Sequence, residues 1–154
     1  MERRIFVRVI LGAGAAAVAA PRVARAMIGA APIPMTVYKS PSCGCCKNWV
    51  THMQGAGFTV KVIDMDDLTA VKKNAGVPQK LQSCHTALVG AYVIEGHVPA
   101  DLVKKMLNQK PQITGLAVPG MVTGSPGMEM GESKDPYDVI AFDRTGKTSV
   151  FAKR

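Results

Sequence analysis

The alternation of apolar and polar positions predicts a series of strands and helices in the first half of the chain. Residues 35–39 form a short extended stretch, residues 45–54 have helical spacing and end at Gly55, and residues 58–63 alternate apolar and polar side chains. A short helix is predicted over residues 67–75. Because strands joined through a helix are parallel, we expect the first two strands to run in the same direction.

The second half of the chain predicts a tight strand pair, a helix and a C-terminal hairpin, separated by a long irregular segment. The pair covers residues 86–89 and 92–95, and the helix covers residues 99–108. Residues 111–136 are rich in Gly, Pro, Ser and Met and show no period. The hairpin strands are predicted over residues 137–142 and 148–151. We therefore expect an α/β fold with a βαβα-ββα core, a Met/Gly/Pro-rich loop and a C-terminal β-hairpin.

The first 26 residues have the pattern of an export signal. Arg3, Arg4 and Arg8 precede an uncharged run over residues 9–20, and small residues surround a cleavage point after Ala26. This run is shorter than the roughly 20 residues that span a bilayer, so we expect no stable membrane span after processing. The arginine pair followed by a Phe-aliphatic-basic order also resembles the twin-arginine export consensus. We expect a periplasmic protein, with both the general secretory route and the twin-arginine route open.

Cleavage after Ala26 would leave residues 27–154 as a single domain with one modest core. The removed segment carries five arginines and one glutamate, so the formal net charge falls from +8 to +4. The remaining lysines are scattered and are not interleaved with aromatic residues, which gives no footprint for nucleic acid. We expect a monomer that does not bind nucleic acid.

Three of the four cysteines, Cys43, Cys45 and Cys46, lie where the first strand gives way to the first helix. Unpaired N–H groups and the macrodipole at a helix N-terminus favour thiolates, which bind metals and attack disulfides. Cys43 and Cys46 have the C-x-x-C spacing of a redox pair, whereas Cys45 is surplus to such a pair and resembles a ligand. Two structural disulfides are a further alternative, although clustered cysteines close few long loops.

Soft thiolate and thioether donors suit Cu(I), and four thiolates also suit zinc. His85 follows Cys84 just before a strand, and both would face the cluster if that strand lies beside the first one. His52 is two helical turns beyond Cys45, about 10 Å away, and is a candidate for an outer site or a plain surface histidine. For His97, at the start of a helix, a turn role and a ligand role both stay open.

Five short segments follow one another along the chain: CGCC at residues 43–46, Trp49 with His52, SCHTA at residues 83–87, EGHVP at residues 95–99 and GLAVPGM at residues 115–121. Together they resemble the CopG-type family of bacterial copper-resistance proteins. The resemblance extends over nearly all of the chain beyond residue 26. It implies a thioredoxin-like periplasmic protein that binds copper through its cysteines and cycles it between Cu(I) and Cu(II).

The resemblance also implies roles for individual residues. It places Cys84 and His85 beside the C-x-x-C pair, where thioredoxins carry a cis-proline loop, and a histidine there argues against ordinary dithiol exchange. It favours Met121 and Met128 as thioether ligands on the loop. Val122 departs from the proline that is more frequent in the family after the first of these methionines.

We therefore predict a copper-binding protein of copper resistance, with Cu(I) held in a centre of one or several ions. The ligands of this centre are Cys43, Cys45, Cys46 and Cys84, with accessory ligands among His85, His52, Met121 and Met128. One alternative is a periplasmic thiol-disulfide oxidoreductase with Cys43 as nucleophile and Cys46 as resolving thiol. Another is a binding module that presents the loop to a copper efflux system or a multicopper oxidase.

Overall fold

A mixed seven-stranded sheet forms the body of residues 31–154, the part of the chain that the computed structural model describes. The strands are β1 (Ile33–Lys39), β2 (Phe58–Asp64), β3 (His85–Val89), β4 (Tyr92–Glu95), β5 (Gly115–Ala117), β6 (Asp138–Phe142) and β7 (Thr148–Lys153). The helices are α1 (Gly44–Gly55), α2 (Thr69–Asn74) and α3 (Ala100–Gln109). The α/β class predicted from the sequence is confirmed, whereas the predicted export signal, residues 1–26, lies outside the described residues.

The strand order β2-β1-β3-β4-β5-β6-β7 brings the ends of β1 and β3 together. β1 pairs with β2 in parallel, as predicted, and with β3 in an antiparallel ladder that sets Lys39 opposite His85. The loop that leaves β1 therefore begins beside the residues that enter β3. This register is the condition under which Cys84 and His85 can meet the cysteines of residues 43–46.

The two faces of the sheet carry separate apolar clusters. Ile94 and Ala87 lie in the larger cluster, with residues of α1 and α3, whereas Val93 lies in a smaller one. Neighbouring residues of a strand point to opposite faces, which accounts for this division.

Trp49 of α1 is fully buried, as predicted, and its ring N–H donates to the carbonyl of Val98 over 2.9 Å. This bond ties α1 to the segment that precedes α3. None of the described helices is both long enough and apolar enough to cross a membrane.

The pattern of the sequence did not predict β5, which lies inside the segment expected to be irregular. β5 has three residues, all buried, so it is too short to show an alternation. A side chain at Gly115 would place its Cβ 1.9 Å from the carbonyl oxygen of Val93, so the close pairing of β4 and β5 requires glycine. The second helix is also shorter than predicted, because Asp67 accepts from the amide of Thr69 in a turn that precedes α2.

Candidate metal centre

The first turn of α1 collects three of the cysteines. Cys43 caps this helix, and its sulfur accepts from the backbone amide of Cys46 over 3.4 Å. Cys46 is fully buried, whereas Cys43 and Cys45 are partly exposed. The local fold follows from the sequence, because the turn after β1 leaves the unpaired amides of the helix N-terminus pointing at the sulfurs.

Cys43 and Cys46 form a disulfide in the structure, with a Cα–Cα distance of 5.4 Å. Among the described residues, Cys45 and Cys84 are free thiols. The sulfur of Cys45 lies 3.4 Å from that of Cys43. The C-x-x-C spacing therefore does bring a redox pair together, and the third clustered cysteine stays outside that pair.

Cys84 completes a group of four sulfurs, because the residues that enter β3 lie beside the first turn of α1. The Sγ atoms of Cys43, Cys45, Cys46 and Cys84 all lie within 4.8 Å of one another. Two thiolates on one ion, with metal–sulfur bonds of about 2.3 Å, can be at most about 4.6 Å apart. Once the disulfide is reduced, the four sulfurs are therefore close to the spacing that a shared metal or a small cluster needs.

Two histidines form a second group around the same Cys84. The Cys84 sulfur lies 3.3 Å from Nδ1 of His85 and 3.0 Å from Nε2 of His97. The three ligand atoms lie within 4.8 Å of one another, and both rings are fully buried. The sequence left the role of His97 open. Its position follows from the register, since Gly96, which follows β4, donates its amide to the carbonyl of His85 over 3.0 Å.

The contacts of the two rings leave nitrogen atoms available for a ligand. Nδ1 of His97 lies 2.8 Å from the carbonyl oxygen of Pro126, which can only accept, so Nδ1 carries a proton and Nε2 faces Cys84 with its lone pair. His85 packs against Trp49, with ring centroids 4.4 Å apart. Its Nε2 is the buried side-chain nitrogen or oxygen that has no hydrogen-bond partner among residues 31–154. Such an atom is costly in a packed interior, so this donor set fits a metal better than simple packing.

The electrostatics of the site favour neutral histidines and a protonated free thiol in the metal-free protein. Burial lowers the pKa of His97, and it lowers the pKa of His85 to well below 6.5. Burial, followed by repulsion from Cys45, raises the pKa of Cys84 to about 12. The imidazoles are therefore ready to act as ligands near neutral pH, whereas a metal bound at Cys84 has to displace a proton.

The loop between β5 and β6 is anchored over the site at two points. The carbonyl of Gly120 accepts from the hydroxyl of Ser83 over 2.5 Å. A side chain at Gly127 would place its Cβ 2.8 Å from the carbonyl oxygen of Cys45, and the φ of +85° at this position also requires glycine. Met121 is 60% exposed on this loop and Met128 is partly buried.

His52 lies apart from both groups of ligands. Its Nε2 accepts from the backbone amide of Ala100 over 3.2 Å, at the start of α3. A histidine that satisfies an unpaired amide at a helix N-terminus has a structural use. The structure thus brings the four predicted cysteines and His85 together, adds His97, and leaves His52 outside.

Comparison with known proteins links this site to copper resistance proteins. Residues 81–128, which include Cys84, His85 and His97, match the family described as "Protein of unknown function, DUF411". No curated protein matches the chain. Two solved structures, "Copper resistance protein copG" forms 2 and 1, share 42% and 43% of their residues with it, each at a TM-score of 0.76. Each match covers 80% of this chain and 98% of the other. At this identity and coverage, the chain belongs to the CopG family of copper resistance proteins.

Proposed function

We propose that this chain is a periplasmic copper-binding protein of copper resistance, which holds Cu(I) on Cys43, Cys45, Cys46 and Cys84 after the disulfide is reduced. The observation that carries the proposal is the group of four sulfurs within 4.8 Å of one another. Thiolates are soft donors that suit Cu(I) and also zinc, and the similarity to copper resistance proteins favours copper.

The shared position of Cys84 supports a centre with more than one ion. This residue belongs both to the four-cysteine group and to the group with His85 and His97. A thiolate can bridge two ions, so one copper can lie among the cysteines and a second can lie between Cys84 and the imidazoles. His97 thus joins His85 as a proposed ligand, whereas the contact with Ala100 gives His52 another use.

Redox cycling of the bound copper follows from the mixture of donors. Thiolates favour Cu(I), and imidazoles also suit Cu(II). We propose that copper cycles between these states in the centre: an external oxidant takes one electron from each Cu(I), the resulting Cu(II) is held on the histidine side, and a thiol reductant returns the electron. Electron paramagnetic resonance of the copper-loaded protein after mild oxidation tests this step, and a copper signal without nitrogen hyperfine splitting would contradict it.

The fold and the location belong to the same proposal. A C-x-x-C pair at the start of the helix after β1, beside the residues that enter β3, supports a thioredoxin-like arrangement. The arginine-led apolar segment supports export, with residues 1–26 as signal and residues 27–154 as one metal-binding domain. We propose that this domain acts as a monomer.

The exposed thioether of Met121 supports transfer of copper to or from a partner. Met121 follows Gly120, whose carbonyl is bonded to Ser83, the neighbour of Cys84. An exposed soft donor at the rim of the centre can receive copper before the thiolates do. A copper efflux system or a multicopper oxidase is the class of partner proposed, and Met128 on the same loop is the second thioether.

The Cys43–Cys46 disulfide supports one alternative function, thiol-disulfide exchange. Cys43 is the more exposed of the two sulfurs and would be the nucleophile, with Cys46 as the resolving thiol. Reduction of insulin disulfides, lost in a Cys43→Ser variant, would favour this function over copper binding.

Titration of the fully reduced protein with Cu(I) tests the main proposal. The titration is anaerobic, against a chromophoric chelator, and free thiols are counted at each step. We expect tight binding that protects all four thiols from alkylation. Weak binding that leaves the thiols reactive, together with rapid return of the disulfide, would contradict it.

A further inference from the structure

A buried ion pair lies next to the metal centre and has no part in the function proposed so far. Lys72 of α2 is 6% exposed and Glu95 at the end of β4 is fully buried. The Nζ of Lys72 lies 2.5 Å from Oε1 of Glu95. Removal of two charges from water is unfavourable, and apolar residues of similar size often stabilise a core equally well. Stability alone therefore does not explain why this ion pair is present.

The other contacts of this pair lie immediately before and immediately after the proposed ligands Cys84 and His85 along the chain. Oε1 of Glu95 also accepts from the backbone amide of Ser83 over 2.6 Å, immediately before Cys84. Oε2 accepts from the hydroxyl of Thr86 over 2.7 Å, immediately after His85. Lys72 donates to the same hydroxyl over 3.0 Å. One carboxylate thus holds the chain on both sides of two ligands.

Ser83 is also confined from two other directions. A side chain at Gly96 would place its Cβ 2.6 Å from the Oγ of Ser83, so only glycine fits beside the Ser83 side chain. The same Oγ donates to the carbonyl of Gly120 in the loop above. The amide and the hydroxyl of Ser83 are both hydrogen-bonded and its side chain lies beside Gly96, so Ser83 has little freedom. Its position therefore sets the direction of Cys84.

We propose that Glu95 is a positioning residue of the metal centre: its carboxylate, held by Lys72, fixes the amide of Ser83 and so directs the Cys84 sulfur toward both groups of ligands. This inference rests on the proposed copper function. Residues that orient metal ligands from outside the coordination sphere typically change metal affinity by about 10–100-fold. Lys72 acts one step further out, since its ammonium group contacts Oε1 of Glu95 and holds the carboxylate in place.

Two double variants separate positioning from stability. Both remove the buried charges: Lys72→Met/Glu95→Gln keeps an oxygen that can accept from the Ser83 amide, whereas Lys72→Met/Glu95→Leu does not. The two proteins otherwise have similar volume and charge. Ile94→Val, one residue away in the core, serves as the control for a small loss of packing.

The first readout needs no copper. Hydrogen exchange of the Ser83 amide in the metal-free protein should be about tenfold faster in the Leu variant than in the Gln variant, as expected for the loss of one hydrogen bond. The second readout is Cu(I) affinity by competition with a chelator. We expect the Leu variant to bind about 10–100-fold more weakly than the Gln variant, at similar melting temperature.

Equal exchange rates and equal copper affinities in the two variants would overturn the inference. If either double variant fails to fold, Glu95→Asp replaces it, because this change keeps the charge and withdraws the carboxylate from Ser83 by one methylene. If the Glu95→Asp variant bound copper with an affinity within twofold of that of the wild type, this result would likewise overturn the inference. Failure of the wild-type protein to bind copper would instead refute the proposed function, while the exchange data would still decide whether Glu95 holds the loop.

Discussion

The two sides of the candidate metal centre are built in different ways. The histidine side, formed by Cys84, His85 and His97, is fixed by buried hydrogen bonds, and both of its imidazoles are fully buried. The helix side, formed by Cys43, Cys45 and Cys46, depends on a helix N-terminus and contains the disulfide. The histidine side could therefore bind a metal in the arrangement that it already has, whereas the helix side could offer all of its thiolates only after reduction of the disulfide. We infer that binding on the helix side is under redox control.

Replacement of single cysteines tests the shared position of Cys84 and should give the largest effect. Cys84→Ser removes a donor from both sides, so we expect a loss of Cu(I) affinity greater than about 100-fold, above the range seen for residues outside the coordination sphere. Cys45→Ser touches the helix side alone and should lose less affinity and fewer bound ions. Anaerobic chelator competition with copper analysis measures both, and equal losses in the two variants would contradict a bridging Cys84.

The disulfide offers the next comparison. With Cys43 and Cys46 oxidised, two of the four sulfurs cannot act as thiolates, so we expect the oxidised protein to bind fewer copper ions and to bind them at least about tenfold more weakly. Copper per protein is measured by atomic absorption after equilibration with or without a thiol-free reductant. A Cys43→Ser/Cys46→Ser variant is the matched control, because its copper content should not respond to the reductant. Equal loading of the oxidised and reduced wild-type protein would refute redox control.

The structure gives His97 and His52 different contacts, so the two histidines can be compared. His97→Gln removes a donor 3.0 Å from the Cys84 sulfur, and we expect about a tenfold loss of Cu(I) affinity. His52→Gln affects the hydrogen bond with Ala100 and changes no member of either candidate ligand group, so its copper affinity should stay within about twofold of the wild type. Chelator competition on the two variants side by side gives the ratio. A larger effect at His52 would place a metal where the structure shows a helix contact.

Much of the fold followed from periodicity, and the cysteine group followed from one feature of topology. The first two strands and helices have clear patterns, and once β3 lies beside β1, Cys84 and His85 must reach the first turn of α1. The sequence-based prediction included His52 among the accessory ligands and did not include His97, because both histidines lie near helices and the contact that distinguishes them involves a residue far along the chain. Pro126 orients His97 from 29 residues away, through a loop with no period. Likewise, β5 was hidden because its three buried residues show no alternation.

The pH dependence of stability should give the smallest effect, and it tests whether the imidazoles of the histidine side are neutral in the metal-free protein. Burial lowers the pKa of His85 and His97 below 6.5 in the metal-free fold, so as the pH falls through about 6.5 the unfolded chain takes up protons that the folded protein refuses. Stability should therefore fall with falling pH, by up to about 1.4 kcal/mol per pH unit for each such histidine. Urea unfolding between about pH 7.5 and 5.5 measures this slope.

The His97→Gln variant removes one of these two contributions. His97 also lowers the pKa of His85, so the difference between the wild-type and variant slopes reports His97 together with its effect on His85. We expect the variant to lose less stability on acidification, because its unfolded chain has one site fewer that takes up a proton in this range. Identical slopes would mean that the buried ring already accepts a proton in the folded protein. In that case the histidine side would not be arranged for a metal in advance, and the contrast between the two sides would disappear.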